Sequence, residues 1–363
     1  MRIYVDIAHP AHAHALRFFV VEMKARGHEI LVSARDKDIT LNLLHAWGIS
    51  CINRGKGNTA SGPFYKTTGP LKWLTGIVSL SGKFLSMLRV IIKLFPLVKK
   101  FSPDLVISYS SYHAALAGQL LGRPVITFED TENVPLLHMV NRFLSFRMVT
   151  PVCFEKDFGK KHIRFNGYKE LASLYPARFK PLPLPEEFKV PYIVMRLVSW
   201  SAWHDRGHKG ISDRMKIAVA GRLSTFGRVF ISSEVPLEGP LRKYEMNIES
   251  RFGHSVLAGA RLFFGESASM AAEAAVLGVP AFYIDNVGRG YTRDLEREHG
   301  LLFNFGEDDA AVGLALDKAV ALLQKPDLHN EWQQKRTRMM EGKTDVTAMM
   351  VEMAEKFAAG FKR

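Results

Sequence analysis

The chain has 363 residues, of which 47% are hydrophobic and 23% are charged. This length exceeds that of one ordinary compact domain and the composition excludes a disordered or fibrous protein, so we expect two globular domains. Lysine and arginine outnumber the acidic residues by 49 to 36, a net charge of +13. This favours an anionic partner (phosphate groups, nucleic acid or an acidic membrane surface) over a basic surface kept for solubility.

The first half of the chain predicts an alternating series of strands and helices. Short apolar runs typical of buried strands alternate with stretches of helical spacing. We assign strands to residues 1–7, 29–33, 104–108 and 124–128, and helices to 14–26 and 112–121. Such alternation predicts a parallel, doubly wound sheet whose ligand sites lie at the carboxyl ends of the strands.

A basic segment interrupts this series. Residues 54–100 contain nine lysines and arginines and no aspartate or glutamate. Within it, polar side chains recur at helical spacing over residues 82–100, which predicts a helix with a basic stripe. Such a helix either packs on the sheet as an ordinary element or lies against an anionic membrane surface. No stretch of about 20 uncharged apolar residues is present that would cross a bilayer.

The second half of the chain predicts another α/β domain. Four prolines in residues 175–188 exclude regular structure and indicate a linker. We then assign strands to 192–198, 216–220, 229–232, 260–264 and 281–284, and helices to 270–277, 310–323 and 346–361. We expect an N-terminal domain at 1–178, a C-terminal domain at 186–340, and a last helix in 341–363 that returns toward the N-terminal domain.

The most informative pattern lies in residues 262–285. An apolar strand ends at Gly265, a turn of small and hydroxyl residues follows, and an alanine-rich helix begins. The start of a helix offers unpaired N–H groups to a phosphate, and Glu273, one turn further, is suited to accept hydrogen bonds from ribose hydroxyls. Ordinary helix capping is the alternative. The candidate ligand-binding residues are Gly265, Glu266, Ser267, Ala268, Ser269, Met270 and Glu273.

This pattern resembles the nucleotide-binding segment of GT-B glycosyltransferases, particularly the peptidoglycan N-acetylglucosaminyltransferase. In that family a glutamate stands five residues before a glycine that is followed by one residue and a proline, as Glu273 does here before Gly278. The non-hydrolysing UDP-N-acetylglucosamine 2-epimerases are similar. The resemblance implies two Rossmann-like domains facing a central cleft, with Glu273 on the ribose and the preceding turn on the diphosphate. Ala268 stands where the family has glycine.

Three histidines, His9, His12 and His14, follow the first strand, at the edge where open α/β sheets bind ligands. By its place fifteen residues before Gly27, His12 matches the histidine of the glycosyltransferase turn, which implies contact with the acceptor. A histidine there can take a proton from an acceptor hydroxyl or orient that hydroxyl. Helix capping or burial in the core is the alternative explanation.

An acidic loop follows the strand at 124–128. Glu129, Asp130 and Glu132 each offer a carboxylate that could act as a base, unless the loop is merely solvated. The loop ends in Asn141-Arg-Phe-Leu, which is similar to the Asn-Lys-Trp-Leu segment of the same transferase. That resemblance implies that Glu132 and Asn133 lie on the acceptor side. We take His12 and Glu132 as the catalytic candidates, with His9, His14, Glu129 and Asn133 as substrate-binding ones.

Two further loops of the second half contain candidates. Ser199 and His204 follow the strand at 192–198, and Ser232 and Glu234 end the strand at 229–232. These positions favour contacts with the sugar or the nucleotide. Nearby Asp205 and His208 would complete a metal site by ligand type, but their spacing matches no strong metal signature, so we expect no metal.

The whole chain resembles domain-of-unknown-function family 354, which is grouped with GT-B proteins. The resemblance is carried by MRIYVDIAHPAHAHALRF, YIVMRLVSWSAWHDRGHKG and GESASMAAEAAVLG. We expect a metal-independent glycosyltransferase that moves a sugar from a nucleoside diphosphate donor, expected to be UDP, to a surface-polysaccharide or lipid-linked acceptor. It would need no further cofactor. The alternatives are a sugar-nucleotide epimerase and a non-catalytic protein that binds nucleotide sugars.

The remaining features bear on location and partners. The basic charge suggests nucleic acid, but no helix-turn-helix, RNP or zinc-finger pattern accompanies it, so we expect no nucleic-acid partner. Two cysteines and a first segment without secretion-signal features predict a cytoplasmic protein. The basic segment 54–100 suggests a peripheral position at the inner face of the membrane.

Overall fold

The computed structural model describes residues 1–56, 89–199 and 209–360. Most of the basic segment and its predicted loop lie outside the described residues. Each half of the chain forms its own parallel sheet covered by helices. The predicted α/β architecture of two Rossmann-like domains is therefore confirmed.

Within the described part of the first half, seven parallel strands form one sheet. They are β1 (Arg2–Ile7), β2 (Glu29–Ala34), β3 (Ile52–Asn53), β4 (Leu105–Tyr109), β5 (Val125–Phe128), β6 (Arg147–Pro151) and β7 (His162–Phe165). The sheet order is β3-β2-β1-β4-β5-β6-β7. The helices are α1 (Pro10–Ala25), α2 (Thr40–Ala46), α3 (89–101), α4 (Tyr112–Leu120), α5 (Pro135–Leu144) and α6 (Leu171–Leu174).

The second half, over its described residues, contributes five parallel strands. These are β8 (Tyr192–Leu197), β9 (Arg228–Ser233), β10 (Phe263–Gly265), β11 (Ala281–Ile284) and β12 (Leu302–Phe305), in the sheet order β12-β11-β10-β8-β9. The helices are α7 (Asp213–Leu223), α8 (Gly253–Gly259), α9 (Ala268–Val276), α10 (Gly290–Arg297), α11 (Asp309–Leu323), α12 (Leu328–Met340) and α13 (Val346–Gly360).

Local sequence explains where these elements begin and end. The strands are nearly continuous apolar runs because both faces of each sheet are covered, and Ile3, Val5 and Ile7 of β1 are fully buried. Ser267 starts α9 as an N-cap residue, its side chain accepting from the Met270 N–H. Gly278 follows α9 with a φ of 78°, a left-handed conformation that favours glycine.

One predicted element is wrong. Residues 216–220, assigned to a strand, lie inside α7. The apolar alternation suggested a strand, but Ser212 caps a helix there by accepting from the Met215 N–H, and Asp213 occupies the first turn. A good cap with an acidic first turn favours the helix over a short, weakly apolar strand.

The last helix packs on the N-terminal domain. Helix α13 contacts α1 and α6, and the Thr347 hydroxyl donates to the Ala172 carbonyl at 2.7 Å. The Arg178 guanidinium donates to both carboxylate oxygens of Asp345, at 2.7 and 2.9 Å. These contacts hold the two domains together away from the cleft. Among the described residues, no helix has both the length and the apolar character needed to cross a membrane.

The topology places two ligand edges. In the first sheet the chain reverses its direction of growth between β1 and β4, and in the second between β8 and β10. Ligands bind open α/β sheets in the crevice outside the carboxyl ends of the strands at such reversals. The segments that leave β1 and β10 therefore enter the two expected binding crevices.

Close approach of strands makes Gly265 a specific structural requirement. A Cβ atom at this residue would lie 2.3 Å from the Arg196 carbonyl oxygen and 2.7 Å from its nitrogen, both backbone atoms of the paired strand. Replacement with alanine must push β8 and β10 apart. We expect Gly265→Ala to destabilise the protein by about 1–3 kcal/mol, measured as a lower thermal midpoint.

Gly221 supplies the matched control. It lies exposed within α7 and has open space where a Cβ would stand. Gly221→Ala should stabilise by roughly 0.5–1 kcal/mol because alanine loses less backbone entropy in a helix. Equal thermal midpoints for the two variants would contradict the close-approach argument.

Candidate functional site

The turn between β10 and α9 places a capped helix start at the carboxyl edge of the second sheet. Ser267 caps α9, and residues 267–270 are half-buried at the carboxyl edge of the sheet. The first turn of α9 contains no acidic residue. The first N–H groups of a helix have no acceptor within the helix, so this turn offers donors and the positive end of a dipole at the crevice.

Glu266 organises the neighbouring loop. Its side chain is buried, one carboxylate oxygen accepts from the Val198 N–H at 2.8 Å and the other from the Ile211 N–H at 2.6 Å. Glu307 acts similarly, accepting from the N–H groups of Lys209 and Gly210. These two carboxylates hold the backbone of the described residues on either side of 200–208. The predicted residue His204 lies outside the described residues. Glu266 therefore has a structural role, because both of its carboxylate oxygens accept hydrogen bonds from backbone N–H groups.

Three predicted residues meet around an arginine that sequence reasoning missed. The Arg196 guanidinium donates to the Ser232 hydroxyl at 2.8 Å and to the Glu234 carboxylate at 2.9 Å. The same carboxylate accepts from both the N–H and the hydroxyl of Ser199, at 3.2 and 3.0 Å. This network joins the ends of β8 and β9. Arg196 belongs to an otherwise apolar strand, and this interruption was its only signal.

Glu273 is buried and is paired with a residue that sequence reasoning did not single out. The Glu273 carboxylate lies 3.2 Å from Nε2 of His254, which belongs to α8. Glu273 is 8% exposed. The His254 ring centroid is 4.0 Å from that of His14 in α1. Burial, then the neighbouring His254 and Arg17, lowers the pKa of His14 well below its ordinary value. Glu273, the residue predicted to bind the ribose, thus contacts His254, and the His254 ring in turn contacts His14 of the N-terminal domain.

His9 and His12 both lie at the carboxyl edge of β1. His9 caps α1, its Nδ1 accepting from the Ala11 N–H at 3.3 Å. The His12 ring stacks near Tyr109, with 5.4 Å between centroids, and its buried Nδ1 has no hydrogen-bond partner among the described residues. Burial, followed by the positive charge of Lys169, lowers the pKa of His12 to about 3. His12 is therefore neutral at pH 7, and its burial disfavours the protonated ring.

A buried ionic cluster, Lys169 with Asp130 and Glu170, lies between the domains. The Lys169 ammonium is 2.5 Å from an Asp130 oxygen and 3.5 Å from a Glu170 oxygen. It also lies 3.5 Å from the Ser269 hydroxyl, at the start of α9. Sequence reasoning missed Lys169 because it follows β7 in a short loop with no motif. The N-terminal domain thereby places a cation beside the start of α9.

The acidic loop contains residues in different environments. Burial raises the pKa of Glu129 to about 7, although the Ser110 hydroxyl and the backbone N–H groups of Asp130 and Thr131 stabilise its charged form. Glu132 is buried at the other domain: a Cβ atom at Gly290, the first residue of α10, would lie 2.3 Å from its carboxylate. Burial raises the pKa of Glu132, although the Gly290 N–H at that helix start favours its charged form.

Asn133 and Asp6, two further polar residues of the N-terminal domain, differ in exposure. Asn133 is exposed, directly after the buried Glu132. Asp6, which the sequence pattern did not single out, is buried and accepts hydrogen bonds from the hydroxyls of Ser33 and Ser111. It also lies 3.1 Å from Nε of Arg54. These contacts tie together the ends of β1, β2 and β4 and the start of α4.

The structure thus groups the predicted residues into two sets. His9, His12 and His14 lie on the N-terminal edge, and the α9 turn with Glu273 lies on the C-terminal edge, joined through Lys169 and His254. Ser199, Ser232 and Glu234 surround Arg196 beside them, and the charge of Arg196 acts on His9. In the described part of the chain, no group of three or more His, Cys, Asp or Glu side chains could hold a metal ion.

Comparison with known proteins shows the fold. No family model matches the sequence, and no curated protein matches it. The spinosyn forosaminyltransferase structure is 16% identical, with a TM-score of 0.65 over 99% of each chain. The spinosyn rhamnosyltransferase complexed with thymidine diphosphate is 15% identical, with a TM-score of 0.61 over 98% of this chain and 100% of that one.

An epimerase has the same architecture. The UDP-GlcNAc 2-epimerase from Neisseria meningitidis, solved bound to UDP-GlcNAc, is 13% identical, with a TM-score of 0.63 over 98% of this chain and 100% of that one. The chain therefore has the GT-B fold, shared by glycosyltransferases and sugar-nucleotide epimerases. At such low identity, the reaction has to be argued from the site.

The environment of His12 predicts a pH dependence of stability. Its pKa is about 3 in the native protein against an ordinary 6.5, so protonation favours the unfolded chain. The stabilisation is fully present above pH 6.5 and is lost as the pH falls toward 3. We expect wild-type protein to lose about 1 kcal/mol more unfolding free energy than His12→Asn between pH 6.5 and 5.5, measured by denaturant titration. Parallel pH profiles would contradict this environment.

Proposed function

We propose that the protein is a glycosyltransferase that moves a sugar from a nucleoside diphosphate sugar, UDP-linked by preference, to a glycan or lipid-linked acceptor, with no metal cofactor. The observation that carries this proposal is the meeting of two carboxyl edges. The α9 turn, suited to a diphosphate, faces a histidine edge of the other domain, and Lys169 bridges them at 3.5 Å from Ser269.

In this proposal each edge has one chemical task. The acceptor hydroxyl oxygen forms a bond to the anomeric carbon while the bond from that carbon to the diphosphate oxygen breaks, its electron pair leaving with the nucleoside diphosphate. The hydroxyl proton passes to His12, which is neutral before the reaction. The α9 dipole stabilises the departing diphosphate, and Glu273 holds the ribose. Glu132, at the start of α10, is the second candidate base.

A sugar-nucleotide epimerase is the second candidate. It is favoured by the similarity to an epimerase solved with UDP-GlcNAc, which has the same fold. The two activities differ in one observable: an epimerase converts the donor in the absence of any acceptor. Either activity agrees with membership of domain-of-unknown-function family 354, which we also propose.

We further propose that the basic segment 54–100 lies against an anionic membrane surface on the cytoplasmic side. Within this segment, α3 exposes Ile92 by 70% and Leu97 by 43%, beside Lys99 and Lys100. Apolar side chains flanked by lysines suit the boundary between headgroups and acyl chains. Such a position would bring the cleft near a lipid-linked acceptor.

Glu273→Gln tests the donor site. The amide keeps the shape of the side chain but loses the charge that strengthens hydrogen bonds to ribose hydroxyls. We expect the free energy of UDP binding, measured by calorimetry, to become less favourable by about 1.5–3 kcal/mol. The thermal midpoint should stay nearly unchanged. The control is Glu331→Gln, a surface change in α12 that should leave affinity at the wild-type value. Wild-type affinity in Glu273→Gln would remove Glu273 from the site.

His12→Asn tests the acceptor side. His9, not His12, caps α1, and asparagine keeps a polar side chain in the first helical turn, so a structural role of His12 would largely survive the change. If His12 takes the acceptor proton, turnover should fall by roughly two to four orders of magnitude while UDP affinity stays nearly the same. Steady-state rates with a UDP-sugar panel and acceptor glycans measure the first quantity, and calorimetry the second. Near-wild-type turnover would leave His12 with a structural role only.

A further inference from the structure

An unusual charge stands at the start of α9. Carboxylates are favoured at the positive end of a helix dipole, yet the first turn of α9 has no acidic residue. The side chain that approaches it from the other domain is a cation, since the Lys169 ammonium lies 3.5 Å from the Ser269 hydroxyl. Two positive groups side by side repel each other, and an anion between them would relieve that repulsion.

Lys169 is held there in its charged form. The residue is only 6% exposed. Burial by itself lowers the pKa of the ammonium, but the carboxylates of Asp130 and Glu170 outweigh burial and keep that pKa well above its ordinary value. The Tyr291 ring, with its centroid 5.7 Å from Nζ, closes another side. A buried ion pair often stabilises a protein less than a well-packed apolar pair of the same volume. Such a pair is expected where one of its charges interacts with a ligand.

Unlike Lys169, a buried nitrogen of His12 has no partner in the described part of the chain. His12 Nδ1 is buried and has no hydrogen-bond partner among the described residues. Two opposite charges act on His12: Lys169 disfavours its protonation and Asp130 favours it. While Lys169 and Asp130 are paired, their effects on His12 largely oppose each other. The balance changes if Lys169 acquires another anion.

We propose that Lys169 binds the diphosphate of the donor at the start of α9, exchanging its ion pair with Asp130 for the phosphate oxygens. This inference rests on the proposed function and adds the residue that neutralises the leaving group. Once the exchange has occurred, the charge of Lys169 is compensated by phosphate and Asp130 is left to favour protonation of His12.

The test compares ligands with and without phosphate. Lys169→Met alone would leave buried carboxylates unpaired, so the main variant is the double change Lys169→Met with Asp130→Asn, which removes one charge of each sign. Dissociation constants for UDP and for uridine are measured by calorimetry and NMR titration. The control is Lys189→Met, whose exposed ammonium pairs with Glu186 away from the cleft.

We expect the double variant to bind UDP about 10- to 100-fold more weakly than wild type, with uridine affinity unchanged and Lys189→Met like wild type for both ligands. Equal UDP affinity in the double variant and wild type would overturn the role of Lys169 while leaving the donor site in place. An equal loss for UDP and uridine would also overturn it. Wild-type protein that binds neither UDP, TDP nor GDP would refute the proposed function itself.

A single variant decides the case if the double variant does not fold. Asp130→Asn frees Lys169 from its partner without removing the ammonium. We expect this variant to bind UDP at least as tightly as wild type, because the short ion pair with Asp130 no longer has to be broken. Weaker UDP binding with unchanged uridine binding would overturn the exchange.

Discussion

Parallel pairing is the constraint on which the rest of this structure depends. Strands that run in the same direction end at the same edge of the sheet, and each is followed by a helix whose positive end starts at that edge. In the C-terminal domain this places the start of α9 beside the end of β8, a proximity so close that Gly265 has no room for a side chain against Arg196. The topology alone therefore brings the start of α9 and the end of β8 to one edge of the sheet.

Compensation of buried charge is what joins the two edges. Lys169, Asp130 and Glu170 would each be costly to bury alone, and together they are tolerable because the N-terminal domain, which contains all three, contributes both signs of charge. The Glu132 carboxylate reaches the start of α10 for the same reason, since a helix start supplies the missing positive field. The domain interface is therefore polar at the cleft, whereas hydrogen bonds and packing of α13 hold it elsewhere.

The shared fold limits what similarity can say about chemistry. Transferases and an epimerase have this architecture at 13–16% identity, and both classes act on sugar nucleotides. A fold that presents a helix start to a diphosphate suits any reaction in which the diphosphate leaves the sugar. The fold alone therefore does not distinguish the two reactions.

The sequence by itself determined the alternation of strands and helices, the division into two sheets and the character of the α9 turn, because apolar periodicity, capping residues and glycines act over a few residues. It did not determine residues 216–220, where a cap outweighed a short apolar run. Only the tertiary structure decided which charges meet. Lys169 and Ser269 are 100 positions apart, and His14 pairs with His254 across the domains. Such contacts leave no local pattern, since they exist only after both sheets have folded and their edges have come together.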